Sequence, residues 1–310
     1  MPATILEEPS FTHVTVMPDE VVQAFADVTG LVIDATAGGG GHSHALLSRY
    51  PNLSLLAFDR DEVAVRAASQ RLAEFGLRAR VEQLPFSRID ERLEEIGIEE
   101  ISGLIADLGV SSQQLALADR GMSFRLEGPL DMRMDTSSGE TAAELIERVS
   151  QEELADLIYD LGEERGSRRI ARCIKQALAR GELTTTLDLR RAVVKAIGPR
   201  RIGGVDPATR TFQALRMAVN GELDELNALL ELAKKRLCDG GIAAVISFHS
   251  LEDRRVKREF MKRDFWQRLT PKPLVASEAE QAENPRARSA KLRLGRRYTE
   301  LTFDVDGEEE

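Results

Sequence analysis

Cysteine is nearly absent from the 310-residue chain, which has only Cys173 and Cys238. The two stand far apart in apolar-periodic stretches and read as buried thiols, so neither a disulfide framework nor a paired-cysteine metal spacing is available. Long apolar runs are missing too. None approaches the ~20 residues that would cross a bilayer. Met1 to Ser10 carries Glu7 and Glu8 and no apolar core, which argues against a secretory signal. The compartment expected from these absences is the cytoplasm. What remains, 42% hydrophobic and 30% charged residues, suits an ordinary globular protein long enough for one large domain or two smaller ones.

Positive charge is also in deficit. The formal net charge of -10 argues, as a sum, against nucleic acid. Its distribution does not. Arg286, Arg288, Lys291, Arg293, Arg296 and Arg297 form a run with no acid inside it, read as a phosphate-contacting stretch. A second cluster holds Arg165, Arg168, Arg169, Arg172 and Lys175, and a third Arg190, Arg191, Lys195, Arg200 and Arg201. Solvated helix faces account for these two as well as RNA contact does.

Along the chain, Pro18-Asp19-Glu20 opens a helix, with acids favoured in the first turn. Leu31 to Ala35 reads as a buried strand running into the glycines Gly38 to Gly41, and His42 to Arg49 as a helix. Leu53 to Phe58 is a second strand, closed by Asp59, and Val63 to Phe75 a helix. Ala79 to Leu84 and Gly103 to Asp107 are further strands. Strands apolar throughout, alternating with helices, predict a parallel sheet covered on both faces. The rhythm stops between about 118 and 215. There Ser150 and Glu153 form a capping box before the stripe Leu154, Leu157, Ile158 and Leu161. Ile170, Ile174 and Leu178 make a second stripe, and Leu189, Val193 and Ile197 a third. A long helix from Leu223 to Leu237 follows, stopped by Gly240 and Gly241, then a strand Ile242 to Phe248 and a helix from about Leu251. Lys291 to Leu294 and Thr299 to Val305 suit a terminal hairpin. The expectation is an α/β domain, 1–117 and 216–310, with an all-helical domain inserted at 118–215.

The strongest local feature is Asp34-Ala35-Thr36-Ala37 followed by Gly38, Gly39, Gly40, Gly41 and His42. Glycines let a ligand approach the backbone closely, and a helix start beyond them offers free N–H groups. Asp59 closes the next strand about twenty residues on, where an acid can hold ribose hydroxyls. A nicotinamide fold would want a third small residue at 43, where Ser43 stands. A purely structural turn would explain the glycines but not Asp59. His42 and His44 lack a third ligand at metal spacing, so a helix-opening turn explains them and no metal is expected. Leu130, Met132 and Met134 alternate with Asp131, Arg133 and Asp135, as in an extended segment with one apolar face. It suits either a structural strut or a lid.

Five longer strings decide the reading: Asp107-Leu108-Gly109-Val110-Ser111-Ser112-Gln113-Gln114-Leu115, Gly128 to Asp135, Pro207 to Arg216, Ile246 to Arg254, and Asn284 to Ser289. Together, in order, they resemble the bacterial 16S rRNA cytosine-N4 methyltransferase family, RsmH (MraW), from His13 to about Arg297. The resemblance implies a class I, Rossmann-like S-adenosylmethionine methyltransferase sheet, and methylation of the N4 amine of a cytidine in 16S rRNA of the small subunit. The inserted domain would recognise RNA. Carried over by position, the methyl-donor site comprises the turn Gly38, Gly40, Gly41 and His42, with Asp59, Phe86, Asp107 and Gln114. Asp59 would accept from the ribose and Phe86 would pack on the adenine. Asp107 is the attractive acceptor for the amine's protons, Ser111 and Ser112 could bond the base, and His249 is either a base contact or a structural histidine. Glu252, Asp253 and Arg254 read as helix-start and surface charge. Gly39 stands where the family usually has Arg, and Asp206 where it usually has His. An Asp/Asn-Pro-Pro-Tyr/Phe string would have pointed to a DNA amino-methyltransferase, and Asp107-Leu108-Gly109-Val110 stands in its place. The intact glycine turn with Asp59 and Asp107 argues against a ribosome-assembly factor without turnover. Monomer and homodimer both remain open.

Overall fold

A computed structural model describes residues 15–199 and 205–298 of the chain. The first ten residues, the start of the His13 string, Arg200, Arg201 and the stretch Thr299 to Val305 lie outside them. The chain forms two compact units. One comprises Thr15–Asp59, Ala68–Gly109 and the described residues from Leu226 on; the other comprises Arg60–Ala67 and the described residues of Val110–Glu225.

The first unit holds the expected Rossmann-like α/β sheet. Its strands are β1 (Gly30–Asp34), β2 (Leu53–Asp59), β3 (Ala79–Gln83), β4 (Ile101–Asp107), β5 (Leu237–Ser247), β6 (Trp266–Arg268) and β7 (Lys291–Arg297), in the order β3-β2-β1-β4-β5-β7-β6. From β3 to β5 every pairing is parallel, and β7 runs antiparallel to both β5 and β6. Successive side chains of a strand point to opposite faces, and the cores divide accordingly. Val32, Leu55, Ala57, Ile105, Ala244 and Ile246 join one cluster, while Ile33, Leu56, Phe58, Leu104, Ala243 and Val245 join the other. Helix Gly41–Arg49 contributes Leu46 and Leu47 to the first face. Helix Phe86–Glu95 contributes Ile89 and Leu93 to the second. Strand order reverses at β1, and ligands of open α/β sheets bind at the carboxyl ends beside such a reversal.

Several elements differ from the sequence expectation. Helix Phe86–Glu95 was not anticipated. β5 starts at Leu237, so Gly240 and Gly241 lie within its span, where its pairing with β4 shifts register between Ile101 and Gly103. β7 finds its neighbours in β5 and the three-residue β6. Cys173 and Cys238 are half-buried rather than buried.

In the second unit the described elements are helical. Ser150 and Glu153 form the expected capping box on helix Gln151–Gly162, and Thr141 with Glu144 and Thr185 with Asp188 repeat the device on helices Ala142–Arg148 and Thr186–Ile197. Leu154, Ile158, Ile170, Ile174, Leu189 and Val193 build its core, joined by Leu130 and Met132. The alternating segment thus buries its apolar face, while Asp131 and Arg133 pair with each other at 2.8 Å. Asn220 ties it down from within: Oδ1 accepts from Met134 N at 2.8 Å, and Nδ2 donates to Met132 O at 2.7 Å.

Candidate active site

Three of the parallel strands end in an aspartate: Asp34 on β1, Asp59 on β2 and Asp107 on β4. Each has a different task. Asp34 is buried and accepts from Ser43 Oγ at 2.6 Å and from Thr36 N at 3.1 Å. Burial raises its pKa, with the bonds from Ser43 and Thr36 opposing. Thr36 then uses its own hydroxyl to accept from Asp107 N at 2.6 Å, so the turn after β1 is locked to the end of β4. Asp59 accepts from Gly38 N at 2.8 Å, which ties the glycine turn to the end of β2. The two strand ends and the turn are therefore one hydrogen-bonded assembly.

The glycine turn is tight for identifiable reasons. Gly40 adopts a left-handed conformation (φ 73°) as the N-cap of helix Gly41–Arg49, where a side chain is strained. A Cβ on Gly41 would lie 1.7 Å from Thr15 Oγ1. His42 follows in the first turn, buried, with Nε2 4.0 Å from Asp107 Oδ2. His44, two residues on, pairs with Glu74 at 3.0 Å. At Gly39 the chain has no side chain, and Arg71 Nη1 reaches its carbonyl at 3.5 Å.

Asp107 is the perturbed group of the site. Its side chain is 6% exposed, and its pKa is pushed up to about 7. Burial is the largest cause; the Arg286 guanidinium pulls the other way, and the carboxyls of Asp34 and Glu252 add to the rise. Arg286 lies over the Phe248 ring at 4.9 Å, an attraction of cation for π-face. A Cβ on Gly109 (φ 89°) would lie 3.7 Å from the same ring. The strings around Asp107, Phe248 and Arg286, far apart in sequence, thus converge here.

Phe86 opens helix Phe86–Glu95 and is half-buried against the second face of the sheet. His249 serves as N-cap of helix Ser250–Phe260, with Nδ1 accepting from Glu252 N at 3.4 Å and Nε2 3.0 Å from Glu252 Oε1. Its structural employment is thereby visible. Glu252 is not surface charge: it is buried and accepts from Phe248 N at 2.9 Å. Asp253 is engaged as well, with Arg293 at 2.7 Å and Lys291 at 3.4 Å.

That pairing corrects the reading of the terminal basic run. Arg293 is buried on β7, Arg297 donates to Lys234 O and Phe265 O, and Arg288 donates to Gln281 O. Arg293 therefore serves the fold and shares Asp253 with Lys291, whereas Arg288 and Arg296 are exposed.

The remaining expected residues, Ser111, Ser112 and Gln114, belong to the helical unit. Ser111 caps the short helix Ser112–Ala116, of which Ser112 is the half-buried first residue, and exchanges bonds with Gln114 in a capping box. Gln114 is buried and donates from Nε2 to Asp61 Oδ2 at 2.8 Å. Asp61 also pairs with the buried Arg120 at 2.9 Å. Sequence reasoning missed this network, and although it named Asp34, Thr36, Ser43 and Arg286 it gave none of them a role in the site. Asp34 had a signal, since it ends a strand as Asp59 and Asp107 do. At Asp206, Oδ2 takes Arg190 at 2.8 Å and Oδ1 accepts from Ala208 N at 3.0 Å, so this acid closes the turn before helix Thr209–Val219.

Comparison with known proteins agrees along nearly the whole chain. A model of the MraW methylase family matches residues 10–298. The ribosomal RNA small subunit methyltransferase H of Sorangium cellulosum (strain So ce56) is 60% identical over 286 residues, 92% of this chain and 90% of that protein. Its namesake in Prochlorococcus marinus (strain MIT 9303) is 53% identical over 312 residues, 98% and 99% of the two.

Proposed function

The chain belongs to the MraW methylase family, and from that premise we propose that it methylates ribosomal RNA of the small subunit. The finer reading is transfer of a methyl group from S-adenosylmethionine to the exocyclic N4 amine of a cytidine in 16S rRNA. One observation carries it. Carboxyl groups end three parallel strands beside a glycine turn, and one of them, Asp107, has a pKa of about 7.

The residues fit a donor with a sulfonium centre, a ribose and an adenine. Gly40 supplies the left-handed turn that starts the helix and Gly41 leaves room for Thr15 to pack against it, Asp59 can accept from a diol, and the half-buried Phe86 offers an apolar face. When bound, the donor supplies an electrophilic methyl. The cytosine amine is a weak nucleophile because its lone pair is delocalised into the ring, so the protein's tasks are alignment and proton removal. In the transfer the N4–CH3 bond forms as the S–CH3 bond breaks, and one amine proton must leave. Asp107 holds that proton at a carboxylate oxygen, and a pKa near neutrality suits a group that must both take and release it. Ser111, Ser112 and His249 are proposed as contacts to the base, His249 beyond its capping role, and Gln114 as a further donor contact. The helical segment 118–215 is proposed to recognise the RNA.

The test is methyl transfer from labelled S-adenosylmethionine to small subunits from cells lacking the endogenous enzyme, with the RNA digested and the nucleoside identified by mass spectrometry. N4-methylated cytidine with wild type, lost with Asp107→Ala, is the expected result. Label on another nucleoside would overturn the cytosine-N4 assignment.

A further inference from the structure

The three basic clusters of the sequence have different fates. In the terminal run Lys291 and Arg293 share Asp253, and Arg288 and Arg297 donate to backbone carbonyls. In the third cluster Arg190 pairs with Asp206 and Arg191 with Asp188. In the second, Lys175 is half-buried and donates to Ile146 O and Val149 O, where it closes the end of helix Ala142–Arg148. Four arginines of that cluster behave otherwise. Arg165, Arg168, Arg169 and Arg172 are all exposed. Among the described residues, Arg168 is the one of the four with an ion pair, a loose one to Asp156 at 3.9 Å.

Their arrangement is regular. Arg168, Arg169 and Arg172 lie on helix Ser167–Ala179 at spacings of one and four residues, on the side opposite the buried Ile170, Ala171 and Ile174. Arg165 stands just ahead of the first turn. That turn contains no acidic residue, and the carboxylate just ahead of it, Glu164, is engaged by Gly166 N at 2.7 Å. Beside these arginines, helix Gln151–Gly162 presents the ring of Tyr159, 57% exposed. Tyr159, Arg165, Arg168 and Arg169 line one groove, with Asp156 its only acid. In a chain of net charge -10, a groove lined by three arginines and one acid is a locally positive surface.

We propose that this groove is a docking surface for single-stranded RNA, with phosphates along the arginine stripe and a base stacked on Tyr159. Guanidinium groups suit phosphate geometry, and an exposed ring beside them offers a stacking face to any unpaired base. An acidic protein segment would use the cations but has no need of the ring. The inference rests on the reading that the substrate is small-subunit RNA, and it names the part of the helical unit that meets it.

The experiment uses the full chain, a fluorescently labelled single-stranded RNA oligonucleotide and purified small subunits. Neutralising three cations (Arg165→Gln, Arg168→Gln, Arg169→Gln) is expected to weaken binding of both probes at least roughly tenfold at low salt. The slope of log affinity against log salt should fall by about two, since each phosphate contact contributes about 0.7 to 0.9. Tyr159→Ala is expected to cost on the order of tenfold, and Tyr159→Phe to retain affinity. Because these side chains are exposed, thermal unfolding and S-adenosylmethionine binding should be unchanged. RNA affinity and salt slope unaltered in the triple variant would overturn the proposal. So would a loss confined to subunits with naked RNA unaffected, which would point to a ribosomal protein as the partner. If wild type binds RNA through these arginines yet methylates no ribosomal RNA, the substrate reading falls and the surface stands. If wild type methylates subunits and the triple variant is unimpaired, the surface falls and the substrate reading stands.

Discussion

Replacing Asp107 by Asn should change how stability depends on pH, in a direction the burial of this carboxyl dictates. An ordinary aspartate ionises near 3.8, and in the folded protein Asp107 does so at about 7. Below pH 3.8 the group is protonated in both folded and unfolded chains and has no effect. Between 3.8 and about 7 the unfolded chain releases the proton while the folded chain retains it, so stability falls as pH rises. The slope is about 1.4 kcal/mol per pH unit, which over the interval removes about 4 kcal/mol. Asparagine resembles the neutral acid and does not titrate. The stability of wild type minus that of Asp107→Asn should therefore decline by about 2 to 3 kcal/mol from pH 5 to pH 8, and level off above that. Chemical denaturation of both proteins at pH 5, 6, 7 and 8, without methyl donor, measures it. Other titrating groups largely cancel in the difference, Asp34 and Glu252 excepted because they face the same carboxyl. Parallel curves, with a constant difference across the range, would mean that Asp107 ionises normally and that the acceptor role lacks its physical basis.

Three further outcomes follow from the same structure. Arg286→Gln removes the cation that opposes the rise in Asp107, so the pH at which methyl transfer switches on should move to more alkaline values; a profile of rate against pH with small subunits reads this. Asn220→Ala strands the Met134 N–H and the Met132 carbonyl inside the helical unit. The expected loss is about 2 to 4 kcal/mol, measurable as a lower denaturation midpoint. Gly128→Ala would drive a Cβ to 1.7 Å from Ala118 O and 2.7 Å from Ala118 C. Backbone cannot swing aside as a side chain can, so a destabilisation of about 2 kcal/mol or more is expected in the same assay.

Much of the fold was legible because its signals are local. Apolar runs at Leu31, Leu53 and Ile242 marked the central strands, and Ser150 with Glu153 marked a helix start that the structure reproduces. Helix Phe86–Glu95 escaped because Phe86, Ile89 and Leu93 are its only apolar residues, although their spacing of three and four is helical. β6 is too short, at three residues, to show any period. At the site, the glycine turn, Asp59 and Asp107 could be found from residue type and strand position. Glu252 and Arg293 could not, because a charged residue at a helix start or in a basic run looks exposed until its neighbours in space are known. Each is buried against partners 4 to 40 positions away. The same limitation hid the distinction among the three arginine clusters, which differ in their partners and not in composition.

The long insertion between β4 and β5 also has consequences for synthesis. These strands pair along most of their length, yet roughly 130 residues of chain separate them, and bringing such distant ends together costs about 4 kcal/mol in loop entropy. During translation β1 to β4 leave the ribosome first, and β4 then presents an open hydrogen-bonding edge for roughly ten seconds at ordinary elongation rates. Folding of the helical segment ahead of β5 would shorten the effective loop. Variants that weaken helical packing, such as Asn220→Ala, should therefore aggregate during expression out of proportion to their equilibrium stability, because they prolong the life of an unpaired β4.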